Sequence, residues 1–154
     1  GGMYSQALNV EQLLAPDTPA YSGSEAYARQ KRALMVLTQE WAADWEGEGI
    51  VVNAMHPGWA DTPGVRSALP QFRKLTRHVL RSSEEGADTI VWLAVATEAG
   101  SVSGKLFLDR AEHTTHLLSK TKGSRQETEK LMDFLSSNRI SIDAAQRASA
   151  FVET

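Results

Sequence analysis

The fold class is set by six residues lying between two turn signals. Ile50 to Met55 form a short, almost wholly apolar run, with Gly47 and Gly49 before it and His56-Pro57-Gly58 after it. A run of this length without strict alternation reads as a strand buried on both faces, as in a parallel sheet. A sheet of that kind needs helices to cover it, and the flanking sequence supplies them. Upstream, Ser24 is the expected N-cap of a helix that reaches about Glu46 and is ended by Gly47 and Gly49. On a helical wheel Tyr27, Leu34, Thr38, Trp41 and Trp45 share one face, and Arg29, Arg32, Gln39, Glu40 and Glu46 gather opposite. Lys31 is the exception, since it falls on the Tyr27 face one turn on.

Downstream, residues 57–83 form a long irregular stretch with a short amphipathic helix over about Pro70 to Leu80. A second helix follows from an N-cap at Ser83 to about Thr97, with Glu84 and Glu85 in the first turn, where the helix dipole favours acids. Lys105 to Leu108 reads as another short strand, followed by a polar loop. A third helix spans about Gln126 to Ser136 with Leu131, Met132 and Leu135 as its stripe, and residues 139–154 read as a loosely held tail. Residues 1–23 read as loop, with a helical patch around Val10 to Leu14. The order helix, strand, long loop, helix, strand is an α/β pattern. Two strands do not bury three amphipathic helices, so the sequence reads as part of a larger sheet.

The chain has 154 residues, 42% of them apolar, which suits a globular domain rather than a disordered one. A net charge of −3 gives no basic surplus for nucleic acid. There are no cysteines, so disulfides, thiolate zinc ligands and thiol nucleophiles are excluded. No apolar run approaches the ~20 residues of a membrane helix, and no secretion signal opens the chain. The expectation is a cytoplasmic protein without a strong membrane signal.

Tyr27 and Lys31 stand four apart, so their side chains are neighbours on the helix. A free tyrosine, with a pKa near 10, is a poor proton carrier at neutral pH. A nearby ammonium favours the phenolate and lowers that pKa. The same lysine is able to hydrogen-bond a ribose. Conversion between a carbonyl and an alcohol by hydride transfer needs this kind of proton handler. The Tyr-x-x-x-Lys spacing alone also occurs by chance, with a lysine that merely snorkels to water. The Pro57-Gly58 turn adds context, because ligands bind at the carboxyl ends of strands in open α/β sheets.

Other candidates are weaker. His113 and His116, with Glu112 beside them, lack a third converging ligand and read as surface loop residues, so no metal site is expected. Arg73, Lys74, Arg77, His78 and Arg81 form a basic stripe that reads as a solvated helix face, or else meets an acidic substrate or an anionic membrane. Trp41, Trp45, Trp59 and Trp92 read as core or interface residues.

Three segments together resemble the short-chain dehydrogenase/reductase family: Tyr27-Ala28-Arg29-Gln30-Lys31, Ile50 to Met55 leading into Pro57-Gly58-Trp59-Ala60-Asp61-Thr62, and Ser103-Gly104-Lys105-Leu106-Phe107 as the last strand. The runs HPGWADTPGVR and YARQKRALMVLTQEWA are nearest in pattern to its member-twelve subgroup, close to the retinol-dehydrogenase-like enzymes, and Thr115-His116-Leu117 echoes a further segment of that subgroup.

The resemblance implies the C-terminal portion of a Rossmann-like, doubly wound parallel sheet over residues 1–137, with few strands, three main helices and a tail at 138–154. It implies an NAD(P)(H)-dependent oxidoreductase acting on a small, lipophilic carbonyl or alcohol, with Tyr27 as general acid/base. Lys31 would lower the pKa of Tyr27 and bind the nicotinamide ribose. Pro57, Gly58 and Ala60 would border the nicotinamide, Thr62 would hydrogen-bond its carboxamide or a phosphate, and residues 63–80 would be a mobile lid. A homodimer through helices 24–46 and 84–97 is also implied.

The chain departs from the family pattern in its phosphate loop, since it contains no Gly-x-x-x-Gly-x-Gly run. The residue that separates NAD from NADP is absent, so the cofactor type stays undetermined. The family's catalytic serine and asparagine are absent as well, and Gly1-Gly2-Met3-Tyr4 resembles the segment just after that serine. The isolated chain is therefore expected to be inactive alone. The alternatives are a truncated, non-catalytic fragment acting only through oligomerisation, and an unrelated small α/β binding module.

Overall fold

The computed structural model describes residues 2–15, 21–68, 70–76 and 78–150. In chain order the elements are α1 (Val10–Leu14), α2 (Gly23–Asp44), β1 (Ala54–Met55), α3 (Pro63–Ala68), α4 (Pro70–Thr76), α5 (Ser83–Val95), β2 (Leu106–Leu108), β3 (Ala111–His113) and α6 (Arg125–Ala150). Short 3₁₀ turns lie at Gly2–Ser5, Glu98–Ser101 and Ser119–Thr121. This is a partial Rossmann-like α/β fold. Residues Gly1–Leu37 with His116–Thr154 form one compact unit, and Thr38–Thr115 form the other. No helix among the described residues is long and apolar enough to cross a membrane.

In the first unit, helices α1, α2 and α6 share a core of Leu8, Val10, Ala33, Val36 and Leu131, backed by Leu13, Leu37 and Leu135. Asn9 caps α1 by accepting from the Gln12 N–H at 2.8 Å. The Val10 N–H donates to the Glu127 carboxylate at 2.7 Å, which ties the start of α1 to α6.

The face of α2 that touches protein is not the aromatic one. Ala28, Arg32, Ala33, Met35, Val36, Thr38 and Ala42 are buried, whereas Tyr27, Leu34, Trp41 and Trp45 are exposed. Arg32 corrects the sequence expectation most sharply, because it is only 1% exposed. Its Nε donates to the Gln6 carbonyl and its Nη2 to the Met3 carbonyl, both at 2.9 Å. Burial of a guanidinium is tolerable when backbone oxygens replace water. The N-cap of α2 is likewise Ser22 rather than Ser24: its carbonyl accepts from the Ala26 N–H at 2.9 Å and its hydroxyl from the Glu25 N–H at 3.4 Å.

In the second unit the sheet order is β1-β2-β3. β1 pairs with β2 in parallel, Ala54 opposite Leu106 and Met55 opposite Phe107. β2 and β3 are antiparallel, so the sheet is mixed, and the segment expected to be polar loop is a hairpin. The expected strand at 50–55 is shorter than its apolar run. Asn53 explains part of this, since its side chain donates to the Val102 carbonyl at 2.6 Å and accepts from the Lys105 N–H at 3.0 Å. A side-chain amide thus replaces a rung of the ladder. Ile50 and Val51 are exposed rather than buried on both faces, because among the described residues β1 is paired along one edge only.

Gly104 needs its freedom, with φ at +76° and the site of a Cβ only 3.3 Å from the Ala42 Cβ of α2. Trp92 of α5 lies against Phe107 of β2, ring centroids 5.6 Å apart. Trp41 and Trp45 stack on each other at 6.1 Å. The N-cap of α5 is Ser82, one residue before the expected Ser83. Ser82 and Glu85 form a reciprocal capping box, with the Glu85 N–H donating to the Ser82 hydroxyl at 3.2 Å and the Ser82 N–H to the Glu85 carboxylate at 2.8 Å. Between β1 and α5, two short helices stand where one was expected. Helix α6 continues to Ala150, through the segment read as tail.

Candidate active site

Tyr27 and Lys31 lie in the first unit, on the exposed side of α2. The Lys31 Nζ stands over the Tyr27 ring, 5.3 Å from its centroid, within cation–π range. Tyr27 is 59% exposed and Lys31 is exposed too, so neither group is buried. One turn earlier, Glu25 accepts from Arg29 at 3.1 Å.

Pro57, Gly58, Ala60 and Thr62 lie in the second unit, in the loop that leaves β1. The His56 N–H donates to the Phe107 carbonyl at 2.8 Å, so the loop begins where the β1–β2 pairing ends. Gly58 has φ at +73°, a region that favours glycine. Its N–H donates to Nδ1 of His56 at 2.9 Å, so that nitrogen carries no proton. Ala60 is buried and pairs in parallel with Arg81. Gly86 of α5 makes room for this loop, since a Cβ there would sit 3.0 Å from the Ala60 Cβ and 3.6 Å from the Pro57 Cβ. The Thr62 hydroxyl accepts from the Val65 N–H at 3.3 Å and keeps its own proton to donate elsewhere.

The sequence reading missed the charged residues that frame this loop. Asp61 receives Arg73 in a two-pronged contact, Nε at 2.7 Å and Nη2 at 2.9 Å, and Arg66 at 3.2 Å. The Arg73 bonds, reinforced by Arg66, hold the Asp61 carboxyl down at about 2 against an ordinary 3.8. Arg81 forks onto Asp109, and Arg110 onto Asp88. Two members of the basic stripe, Arg73 and Arg81, are therefore engaged within the protein. Arg77 lies outside the described residues, and Lys74 and His78 are exposed. One signal for these pairs was present in sequence: Asp61 and Asp109 each follow a strand, where a carboxylate needs a cation or water.

Glu112 accepts from Lys105 at 2.9 Å. His113 is exposed on β3, and His116 belongs to the first unit, where burial and then the Arg32 charge lower its pKa. Among the described residues no group of three or more His, Cys, Asp or Glu is placed to hold a metal ion.

Comparison with known proteins bears on this arrangement. A family model described as enoyl-(acyl carrier protein) reductase matches residues 15–115, more than half of the chain. Dehydrogenase/reductase SDR family member 12 from Homo sapiens is 44% identical over 137 residues, covering 88% of this chain. The chain belongs to the short-chain dehydrogenase/reductase family. It is also 32% identical over 111 residues to retinol dehydrogenase 14 from Mus musculus, covering 68% of this chain and 33% of that relative. Polyprenol dehydrogenase from Mus musculus is 37% identical over 99 residues, covering 60% of this chain and 30% of that relative. The chain spans 42% of the length of the human member 12 protein.

Proposed function

We propose that this chain carries the proton-handling and nicotinamide-facing part of an oxidoreductase that interconverts a carbonyl and an alcohol. The observation that carries the reading is the Lys31 ammonium held over the Tyr27 ring on an exposed helix face. A phenol with an ammonium beside it is the kind of group that passes a proton to and from a carbonyl oxygen. The Tyr27 hydroxyl gives that proton to the carbonyl oxygen in reduction and takes it back in oxidation. Lys31 also hydrogen-bonds the ribose hydroxyls.

In the β1–α3 loop, Pro57, Gly58 and Ala60 would border the nicotinamide, and the Thr62 hydroxyl would donate its proton to the carboxamide or to a phosphate. The cofactor, NAD(P)(H), supplies or accepts the hydride. These residues suit its nicotinamide end. The pyrophosphate end is not matched, because no glycine-rich phosphate loop occurs in the sequence. We therefore propose that the chain by itself does not turn over. The names of its retinol and polyprenol dehydrogenase relatives favour a lipophilic substrate.

A second reading is favoured by the apolar side chains that α5 exposes, Ile90, Val91 and Val95, and by the exposed Trp41 and Trp45. In this reading the chain acts by associating with a second copy through α2 and α5, and Tyr27 and Lys31 do no chemistry.

The test uses reduced nicotinamide mononucleotide, which needs no pyrophosphate site beyond its own phosphate. The expected result is saturable, millimolar binding by NMR titration, weakened by Lys31→Met and by Thr62→Ala. No resonance shift up to about 10 mM, a ceiling set by roughly −3 kcal/mol of binding free energy, overturns the catalytic reading.

A further inference from the structure

We propose that Arg81, locked by Asp109, is the positioning residue of the Pro57–Gly58 turn. The guanidinium is the wall against which the turn rests. This deepens the functional reading above, which sets that turn beside a nicotinamide.

The guanidinium fills the space that a side chain at position 58 would take. A Cβ placed on Gly58 would lie 2.8 Å from both Cζ and Nη1 of Arg81 and 3.0 Å from its Nε. The flat side of the guanidinium therefore lies against the Gly58 backbone. A flexible arginine on its own yields to such a clash at little cost. Arg81 is not free to yield. Its N–H donates to the Trp59 carbonyl at 2.8 Å, and its carbonyl accepts from the Asp61 N–H at 2.9 Å. At the other end the guanidinium forks onto both carboxylate oxygens of Asp109, with Nη2 to Oδ2 at 2.8 Å. His56 Nδ1 accepts the Gly58 N–H at 2.9 Å. The turn is thus in contact with both an imidazole and a guanidinium. Lysine offers no planar fork and does not reproduce this wall.

The hairpin that presents Asp109 is itself strained. Asp109 and Arg110 have φ of +53° and +59°, and they close the two-residue turn between Leu108 and Ala111. Turns of this kind favour Asn, Asp and Gly, so Asp109 fits its place and the unusual residue is Arg110, an arginine in the left-handed region. Arg110 is held there by Asp88 and by its N–H donating to the Thr89 hydroxyl at 3.3 Å. Exposed ion pairs add little stability, so the Arg81–Asp109 pair does not by itself account for a backbone kept in this state. Strain of this sort persists where a geometry is being set. Here the geometry set is that of the carboxylate behind Arg81.

Residues Gly58, Arg81 and Asp109 allow a double-mutant cycle that needs no cofactor. Gly58→Ala lowers the melting temperature of the intact chain for two reasons, the positive φ and the guanidinium. In an Arg81→Ala background only the first remains, so the loss shrinks by about half or more. Asp109→Asn releases the guanidinium without removing it. It shrinks the loss in the same direction and moves the Gly58 amide cross-peak in the NMR spectrum, while Arg81→Lys does not restore the wild-type peak. Should Arg81→Ala fail to fold, the Asp109→Asn arm decides alone.

Equal losses in all foldable backgrounds, with an unmoved Gly58 peak, overturn the proposal. The result separates from the functional reading. Coupling in the cycle together with no nicotinamide mononucleotide binding leaves the brace standing and removes the catalytic reading. Binding without coupling does the reverse.

Discussion

Arg32 shows how a single side chain can invert a pattern. By composition it belongs with the solvated charges of α2, yet it is almost fully buried, with two carbonyls of the N-terminal segment as acceptors. Its pKa is lowered, chiefly by loss of water, and it still bridges Met3 and Gln6. Arg32→Met keeps the volume but takes the donor from the Gln6 carbonyl, while the Met3 carbonyl keeps the Gln6 N–H at 3.2 Å. The expected cost is about 1–3 kcal/mol in chemical denaturation, the cost of one unsatisfied acceptor. A loss under roughly 0.5 kcal/mol, the range of ordinary surface changes, would show that water replaces the guanidinium. The wheel failed here because it scores residue type and cannot see an acceptor 26 residues away. Tyr27 and Lys31, by contrast, were legible as a pair, because i, i+4 proximity is fixed by helix geometry alone.

Among the elements, those with strong local signals were readable and those made by distant partners were not. Helices α1, α2 and α5 lie within two residues of their expected bounds, because caps and glycines are written locally. β3 was missed because its turn is Asp-Arg rather than Asn-Gly, and the turn's partners Arg81, Asp88 and Thr89 lie about twenty or more residues away. α4 was expected within a helix over about 70–80, α3 was read as irregular chain, and the anchor they share was not foreseen. Asp61 binds Arg66 of α3 and Arg73 of α4 at once, so one carboxylate fastens both helices.

The pH dependence of this fastening has a definite sign. The carboxyl is depressed in the fold, to about 2 from an ordinary 3.8. Its contribution is therefore complete above pH ~4 and is lost as pH falls toward 2. Amide protection factors, which divide out the intrinsic pH dependence of exchange, should fall for the described residues of 63–76 across that window. In Asp61→Asn they should already be low at neutral pH and unchanged by acid. Wild-type protection factors in that variant would show that apolar contacts, not the ion pairs, hold the two helices.

Among the described residues many large apolar side chains are exposed. Leu75, Val79, Val95 and Leu117 are each more than 60% exposed, and Trp41 and Trp45 stack on the surface. Contiguous exposed apolar side chains mark interaction sites. The stripe of Ile90, Val91 and Val95 on α5 is expected to drive self-association, read as a concentration-dependent sedimentation coefficient, and Val95→Glu is expected to reduce it. A monomer at all concentrations would direct attention to a different partner. The sequence hinted at this exposure, since two strands were too few for three helices.

The Asp109–Arg110 hairpin has one more consequence, for proteolysis. Trypsin must draw an arginine side chain into its pocket with the chain extended. Arg110 has left-handed backbone and a guanidinium already held by Asp88. It is a surface arginine that a protease reaches only when the hairpin opens, so cleavage after Arg110 serves as a clock for that opening in the unlabelled protein.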